Sequence, residues 1–436
     1  MTRRTLLHVG SAAAATAASS RTATAANDRI QVGFIGCGAR SHELMTGMLA
    51  QPNATIVAVC DAYKGRMDRA VDRVGPQAKK VDDYRAVLAD KSIDAVVVAT
   101  PDHLHRPMIL EAFAAGKDVY CEKPMTFRAS EGPEIIAAAK KQGRMIEIGS
   151  QLVSTKLQAK AKEIIKSGKL GDITMVRAAY NRNTASGAWL YPIPPDASPK
   201  TVNWDAFLGP APKRAFSLER FFRWRCFRDY SGGIATDLFV HLCTTIHFLL
   251  DAKAPARVTA MGQLYRWKEN REVPDTLNAI LEYPEGFTVN LSSTFNNESG
   301  SPGMFSFLGT KGSLELGFES LKYASQSTIE DNRWIVESWP KPLEQAYFAD
   351  PKVRAEEAPA ARRSRPVEQT LPYPSDGKDW TVAHIGNFLT SMKTRKPAWE
   401  DAVAGHHAAA CAHMVNMAAA EKRVVEWDFA RDDIKG

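Results

Sequence analysis

The sequence predicts an α/β protein. We expect an N-terminal doubly wound parallel sheet of the Rossmann type, followed by an α+β domain with a large, mostly antiparallel open sheet. An apolar, strand-like run at residues 30–35 leads directly into a glycine-rich turn at 36–41, and the next apolar run, at 55–60, ends in Asp61. This order of strand, turn, strand and acid is typical of a βαβ nucleotide-binding unit. After residue 150, strand-like segments follow one another, which favours a mostly antiparallel sheet.

The first 26 residues are typical of an export signal. Arg3 and Arg4 form a twin-arginine motif, an alanine-rich stretch follows, and Ala23, Thr24 and Ala25 provide a small-residue cleavage site. The alternative is an unstructured tail with two chance arginines. Neither this stretch nor a later segment is long and apolar enough to span a bilayer. We therefore expect a periplasmic or otherwise exported protein without a membrane span.

Length and composition indicate an ordinary globular protein of two or three domains, with 436 residues, of which 44% are hydrophobic and 24% charged. The net charge of +7 is raised by the leader, and no basic run is long enough to indicate a nucleic-acid partner. None of the six cysteines forms a C-x-x-C pair, and Cys37, Cys60 and Cys121 lie in or beside predicted core strands. We therefore expect buried thiols and no bound metal.

The glycine-rich turn offers the groups that a dinucleotide requires. Gly36 permits a tight turn, Gly38 lets backbone N–H groups approach a pyrophosphate, and the following helix N-terminus favours an anion. Asp61 would accept hydrogen bonds from a ribose diol and would repel a 2′-phosphate. The sequence therefore favours NAD over NADP, although Lys64 and Arg66 lie close to Asp61.

Strand and helix patterns alternate up to residue 150, as in a parallel sheet whose strands end in loops along a ligand crevice. We assign residues 27–150 to an NAD-binding domain. Its further strands are predicted at 94–99, 118–121 and 144–149, and its helices at 106–115 and 130–142.

Residues 151–376 are assigned to a substrate and oligomerisation domain, and 377–436 to C-terminal helices that pack back on the domains. Strands are predicted at 173–180, 257–264, 277–283, 288–294 and 313–316, and helices at 157–167, 380–393 and 402–421. The stretch 184–215 is predicted to be a long ordered loop, and 340–376 a surface excursion with little periodicity.

Three residues could carry chemistry. Asp237 and His241 stand four apart in an apolar, helix-like segment, so both are expected on one buried face. A hydrogen bond between them would satisfy both and make the imidazole a better base; a core histidine with a helix-capping Asp is the alternative. Lys123 follows a predicted strand, and Pro124 biases it away from helix. It either points into the crevice or pairs with Glu122 on the surface.

Two further candidates lie in loops. His105, after the third main strand, either contacts the cofactor or begins the next helix. In the tripeptide Arg223-Trp224-Arg225, we select Arg223 and Trp224 as substrate contacts, because guanidinium forks and aromatic faces suit hydroxyls and sugar rings. A packed seam between the domains is the alternative. No histidine pair has a convincing metal-ligand spacing.

In this order, these motifs resemble the Gfo/Idh/MocA oxidoreductase family, named for glucose–fructose oxidoreductase and inositol dehydrogenase. The resemblance runs from about residue 29 to 316. It implies that Lys123 orients the reacting hydroxyl near the nicotinamide, that Asp237 and His241 supply the proton acceptor, and that subunits pair through the open sheet. The cofactor contacts it indicates are Gly36, Gly38, Ala39, Arg40, Asp61, Thr100, Pro101, His105, Glu122, Lys123 and Gln151.

We therefore expect an exported, NAD-dependent enzyme that oxidises a hydroxyl of a sugar, glycoside or cyclic polyol. Because free NAD should be scarce outside the inner membrane, the cofactor is expected to stay bound and to be recycled by a second carbonyl substrate. The alternatives are a redox-neutral NAD-dependent glycosidase and a non-catalytic sugar-binding or sensor protein. Ser41 replaces a third glycine and Ser154 an arginine common in relatives, which leaves the substrate open.

Overall fold

The structure, a computed structural model, describes residues 29–299, 304–326, 332–356, 368–372 and 379–435. The predicted export signal at 1–26 lies outside the described residues, so its cleavage stays a prediction.

The first sheet confirms the predicted Rossmann topology. It has six parallel strands in the order β3-β2-β1-β4-β5-β6. The sequence pattern does not reveal β3, because this edge strand consists of two exposed lysines. The strands are β1 Ile30–Ile35, β2 Ala54–Cys60, β3 Lys79–Lys80, β4 Ala95–Val98, β5 Asp118–Cys121 and β6 Ile146–Ile148.

Helices cover both faces of this sheet, so β4 and β5 are buried throughout. One covering helix comes from the far end of the chain: Ile385, Phe388 and Leu389 share a core cluster with Val32 and Phe34. The helices of this domain are Ala39–Leu49, Lys64–Val74, Tyr84–Ala89, His105–Ala114, Gly132–Gln142 and the C-terminal Asp379–Thr394.

The second sheet is large and mostly antiparallel, as predicted. Its ten strands run in the order β14-β13-β12-β11-β7-β10-β9-β8-β15-β16, and only the β7–β10 pair is parallel within the described chain. The strands are β7 Ile173–Ala179, β8 Arg257–Gln263, β9 Thr276–Tyr283, β10 Phe287–Thr294, β11 Phe305–Gly309, β12 Gly312–Leu316, β13 Ser320–Ser325, β14 Glu368–Pro372, β15 Val425–Asp428 and β16 Asp433–Ile434.

Burial alternates along the central strands of this sheet, because one face packs on helices and the other does not. The helices Val240–Leu250 and Ala402–Glu421 contribute to the covered face. On the other face, Met261 is 69% and Ile280 52% exposed. The remaining helices are Lys156–Lys166, Trp204–Leu208, Leu218–Phe222, Arg333–Val336, Lys341–Ala349 and Pro351–Glu356.

The stretch 340–376, predicted to be a surface excursion with little periodicity, contains regular elements in its described part. This stretch includes two short helices and β14, although the helix Lys341–Ala349 buries none of its residues. The stretch 184–215 is a loop apart from the helix Trp204–Leu208, as expected. All six cysteines are buried and free. Among the described residues, no helix has the length and apolarity needed to cross a bilayer.

Candidate active site

A cleft of about 830 Å³ lies at the carboxyl ends of β1, β2, β4 and β5, between the two sheets. The crevice at this edge is where α/β sheets bind ligands. Residues from both domains line it, among them Gly36, Asp61 and Lys123 from the first and Asp237 and His241 from the second.

The turn after β1 fits a pyrophosphate. Gly36 has a φ of +90°, and a Cβ there would lie 2.5 Å from the carbonyl oxygen of Ala99, so only glycine is accommodated. Gly38 precedes the helix Ala39–Leu49 and has no side chain to cap it. Free N–H groups at a helix N-terminus favour an anion. This cradle matches the diphosphate of a dinucleotide.

Asp61, at the end of β2, is tied to the backbone. Its two carboxylate oxygens accept hydrogen bonds from the N–H groups of Cys37 and Tyr63, at 2.7 and 2.8 Å. Arg66 Nη1 lies 3.8 Å from the same carboxylate, and its guanidinium stacks over Phe221 and Phe222 of the second domain. The ribose position therefore presents an acid and a neighbouring cation together.

Lys123 follows β5, and the Lys123–Pro124 peptide bond is cis. Its Nζ donates to the backbone carbonyl of Asp237 at 2.8 Å and to Oδ1 of the same residue at 2.9 Å. The surface pairing with Glu122 is therefore wrong: Glu122 instead accepts from Arg40 Nε at 2.8 Å. A lysine ammonium has three donors, so one donor of Lys123 remains for a ligand.

Asp237 lies in a π-helical turn, Ala235–Phe239, that precedes the helix Val240–Leu250. Its Oδ1 also accepts from Arg225 Nε at 2.9 Å. Burial would raise the pKa of Asp237, but Lys123 and Arg225 lower it well below its usual range. Asp237 is thus a fixed anion that holds two cations at the cleft wall.

The predicted Asp237–His241 hydrogen bond is wrong. Within the described residues Asp237 accepts from Lys123 and Arg225, and the buried Nδ1 of His241 has no partner. A π turn closes its hydrogen bonds five residues apart, so the side-chain directions expected of a regular helix do not apply. Burial and the charge of Lys123 lower the pKa of His241 well below its ordinary value. His241 is therefore a neutral imidazole at the cleft.

The lining includes most of the predicted contacts, and it corrects two. His105 is not among the lining residues: it begins a helix, and its ring nitrogens contact the carbonyl oxygens of Pro124 and Thr100, at 2.7 and 2.9 Å. Arg223 is not a lining residue either. Its Nε donates to the backbone carbonyl of Tyr191. The predicted residues that line the cleft are Gly36, Gly38, Ala39, Arg40, Asp61, Thr100, Pro101, Glu122, Lys123, Gln151, Trp224, Asp237 and His241.

Arg225 takes the place predicted for Arg223. The segment Trp224–Cys226 is a 3₁₀ turn with about three residues per turn, so side chains two positions apart point in different directions. Sequence reasoning also misses Arg182 and Tyr191, which line the cleft from loops without a recognisable motif. Among the described residues, no group of three or more His, Cys, Asp or Glu side chains could hold a metal ion.

The cleft lies between a Rossmann domain and a domain with an open sheet, and the Gly36/Gly38 turn lines it. This arrangement defines a two-domain dinucleotide-binding protein. The family model described as "Oxidoreductase family, NAD-binding Rossmann fold" matches residues 30–150, and the "GFO/IDH/MocA C-terminal domain" matches 199–315. Together the two matches span more than half of the chain. The protein belongs to the GFO/IDH/MocA oxidoreductase family, which confirms the resemblance.

Named relatives share parts of the sequence. Inositol 2-dehydrogenase of Salmonella typhimurium is 31% identical over 158 residues, which cover 36% of this chain and 47% of that enzyme, about half of its length. Trans-1,2-dihydrobenzene-1,2-diol dehydrogenase of Mus musculus is 24% identical over 283 residues, 62% of this chain and 72% of that enzyme.

Solved structures share the fold over most of the chain. Levoglucosan dehydrogenase in complex with NADH and levoglucosan has a TM-score of 0.69 at 18% identity, covering 91% of this chain and 99% of that one. An aldose-aldose oxidoreductase from Caulobacter crescentus complexed with glycerol has a TM-score of 0.65 at 19% identity, with the same coverages. At these identities the likeness shows the fold.

Proposed function

We propose that this protein is an exported NAD-dependent enzyme that oxidises a hydroxyl group of a sugar, glycoside or cyclic polyol. The observation that carries the proposal is that Lys123 and His241, from different domains, line one cleft with the Gly36/Gly38 turn. Family membership and the names of the sugar and polyol dehydrogenases among the relatives support the same reaction class.

Bound NAD supplies the hydride acceptor. Lys123, held by two contacts to Asp237, directs its remaining donor at the reacting hydroxyl oxygen and stabilises the charge that develops there. His241, kept neutral by burial and by Lys123, which lower its pKa, accepts the hydroxyl proton. Asp237 positions Lys123 and forms no hydrogen bond to His241, because its carboxylate is bonded to Lys123 and Arg225.

Contacts between the second domain and the Rossmann domain support the proposal that the cofactor stays bound. Residues 196–210, here called the strap, lie across the Rossmann domain beside the ribose position. The N–H of Lys64 donates to the carbonyl of Thr201, and the N–H of Asn203 donates to that of Ala62. Tyr63 Oη donates to Asp196 Oδ1 at 2.6 Å. Strap residues 203, 205–207, 209 and 210 line the cleft. These contacts join the strap to the Rossmann domain directly after Asp61 and support a bound cofactor recycled by a second carbonyl substrate.

Export and assembly are parts of the same proposal. The twin arginines at positions 3 and 4 support export. The exposed apolar side chains Met261 and Ile280, on the open face of the second sheet, support a homo-oligomer through that face. N-terminal mass analysis of periplasmic protein should find a chain beginning near Ala26, and light scattering should find more than one subunit. An uncleaved cytosolic monomer would contradict both points.

The decisive experiment has two steps. Denatured, freshly purified protein should release NAD or NADH in near-stoichiometric amount, and the Tyr63→Phe variant should retain less cofactor than the control Tyr265→Phe, which alters an exposed tyrosine. The native protein is then incubated with glycosides and polyols, and a mass loss of two hydrogens in a product indicates oxidation. Free sugar released without oxidation would indicate the glycosidase, and binding without any product would indicate the sensor.

A further inference from the structure

We propose that a buried chain of polar side chains behind the cleft, centred on Glu400 and Glu147, carries the proton accepted by His241 to the protein surface beside Ser154. The inference rests on the proposed function, because oxidation of a hydroxyl is what delivers a proton to His241.

The centre of the chain is a pair of buried carboxyl groups. Glu147 on β6 and Glu400 are each 1% exposed. The N–H of Ile148 donates to the backbone carbonyl of Glu400 at 2.8 Å, so the backbone of Glu400 lies against the end of β6. Burial raises the pKa of both carboxyls well above the usual range, and at Glu147 the neighbouring Glu400 adds to the rise. A protonated carboxyl can both donate and accept a proton, which an ionised one cannot.

His384 connects Glu147 to the surface. Its Nε2 lies 2.9 Å from the carbonyl oxygen of Ile148, so this nitrogen carries the hydrogen and Nδ1 accepts. Nδ1 lies 3.0 Å from Glu147 Oε1 and 2.7 Å from Ser154 Oγ, and Ser154 accepts from the exposed Asn387. Burial lowers the pKa of His384 to about 4, so the resting ring is neutral. Nδ1 can therefore receive a proton from Glu147 and transfer it to Ser154, and the low pKa of the ring means that the proton does not remain on His384.

The surroundings of the two carboxyls hold few other charges. The groups that act on Glu400 are the hydroxyls of Ser150 and Thr244 and the neighbouring carboxylate of Asp401. Tyr120 packs edge-on against His384, with ring centres 5.6 Å apart, and the charge of Arg40 adds to the lowering of the His384 pKa. No lysine or arginine of the described residues forms an ion pair with either carboxyl that would fix it as an anion.

Two hydroxyl groups next to Glu400 belong to residues close in sequence to the cleft lining. Thr244 Oγ1 lies 3.4 Å from Glu400 Oε1 and 3.4 Å from Ser150 Oγ, and the residue after Ser150, Gln151, lines the cleft. Thr244 follows His241 by three residues on the helix Val240–Leu250, so both lie on one side of that helix.

Five unpartnered polar atoms belong to His241, to the two carboxyl residues, and to the residues that follow Ser150 and Thr244 in the sequence. Within the described chain His241 Nδ1, Thr245 Oγ1, Gln151 Oε1, Glu400 Oε2 and Glu147 Oε2 are buried without a hydrogen-bond partner. Buried polar atoms are almost always satisfied by protein or by internal water. We infer that water bound at these atoms completes the connection between His241 and the hydroxyls of Ser150 and Thr244.

The reaction supplies the proton that the path needs. Oxidation of a carbinol breaks its C–H and O–H bonds and forms C=O; the hydride goes to NAD, and one proton is left on His241. Burial and Lys123 disfavour the charged imidazole and so lower the pKa of His241. The proton therefore leaves His241 readily, and the polar chain leads it away from the side occupied by substrate and cofactor.

Stopped-flow absorbance with a pH indicator in weak buffer tests the path in the holoenzyme. In the wild-type protein, bulk protons should appear as fast as a polyol reduces the bound NAD. In Glu400→Gln and Glu147→Gln, first-turnover reduction should stay close to wild type, while proton appearance should slow by roughly tenfold or more. Glu400→Asp should restore part of the rate. Glu163→Gln, an exposed glutamate 67% accessible at its side chain, is the control.

A second readout does not depend on turnover. Infrared spectra of the protein without substrate should show protonated carboxyl bands, one of which disappears in each Gln variant. Bands that show ionised carboxylates at both positions, or proton release that keeps pace with reduction in both variants, would overturn the relay and leave the oxidoreductase intact. If none of the polyols or glycosides tested leads the wild-type protein to reduce its bound NAD, the proposed function and the relay are both overturned.

Discussion

Lys123 Nζ contacts Asp237 at two atoms, the carboxylate Oδ1 at 2.9 Å and the backbone carbonyl at 2.8 Å. The side chains are only 10% and 12% exposed, and the residues are 114 positions apart in the sequence. The pair therefore joins the Rossmann domain to the second domain at the point where the reacting hydroxyl is proposed to bind.

Asp237→Asn should impair both stability and turnover. The amide keeps the shape but removes the charge that balances Lys123 and Arg225, and breaking a buried ion pair costs about 3–5 kcal/mol. Thermal denaturation and single-turnover reduction of bound NAD measure the two effects. Asp172→Asn, on the exposed surface, should change neither. Wild-type turnover in Asp237→Asn would show that the fixed position of Lys123 does not matter.

His241→Ala should lower turnover by roughly 10²–10⁴-fold, the usual contribution of a positioned base, while the variant still folds and retains NAD. His247→Ala is the matched control on the same helix. Because His247 is buried and hydrogen-bonded to Tyr283 at 2.9 Å, its loss should reduce the melting temperature and leave turnover per folded molecule nearly unchanged. If His241→Ala instead reduces the melting temperature and leaves turnover per folded molecule nearly unchanged, His241 is a structural core histidine.

The pH profile provides a separate check on His241. A base works when deprotonated, and burial lowers the pKa of His241 well below its ordinary value of about 6.5. Turnover should therefore stay flat as the pH falls through 6.5 and decline only at clearly more acidic pH, where the ring gains its proton. A decline centred on the ordinary histidine value would contradict the buried, neutral ring.

Arg225→Ala and Arg223→Ala distinguish the two arginines of one tripeptide. Arg225 lines the cleft and donates to Asp237, so its loss should reduce kcat/KM by roughly 10-fold or more, as expected for a charge-assisted hydrogen bond. Arg223 donates to the carbonyl of Tyr191 outside the lining, and its loss should leave kcat/KM within about twofold of wild type. Equal losses would mean that both act through packing.

Asp61→Ser should shift the cofactor preference toward NADP. Asp61 provides the charge that repels a 2′-phosphate, and Arg66 lies 3.8 Å away to receive one. Titration should show weaker NAD binding and stronger NADP binding in Asp61→Ser. Adding Arg66→Ala should cancel the gain for NADP. If NADP affinity is the same with and without Arg66, another group sets the choice.

Much of the fold could be predicted because its signals are local. Apolar runs of strand length, the glycines at positions 36 and 38 and the acid after β2 are properties of short segments, and these predict the Rossmann sheet. The helix Ala402–Glu421 has the predicted bounds for the same reason. Strands such as β3, β15 and β16 have too few residues to show a period.

The sequence by itself determined the order of elements, the dinucleotide turn and the residue types of the candidate site. Only the tertiary structure decided that Asp237 pairs with Lys123 and Arg225 instead of His241, and that Arg225 rather than Arg223 faces the cleft. Sequence spacing assumes a regular helix, whereas a π turn and a 3₁₀ turn redirect these side chains. Lys123, one of the two partners of Asp237, is 114 positions away in the sequence, a contact that no local pattern encodes.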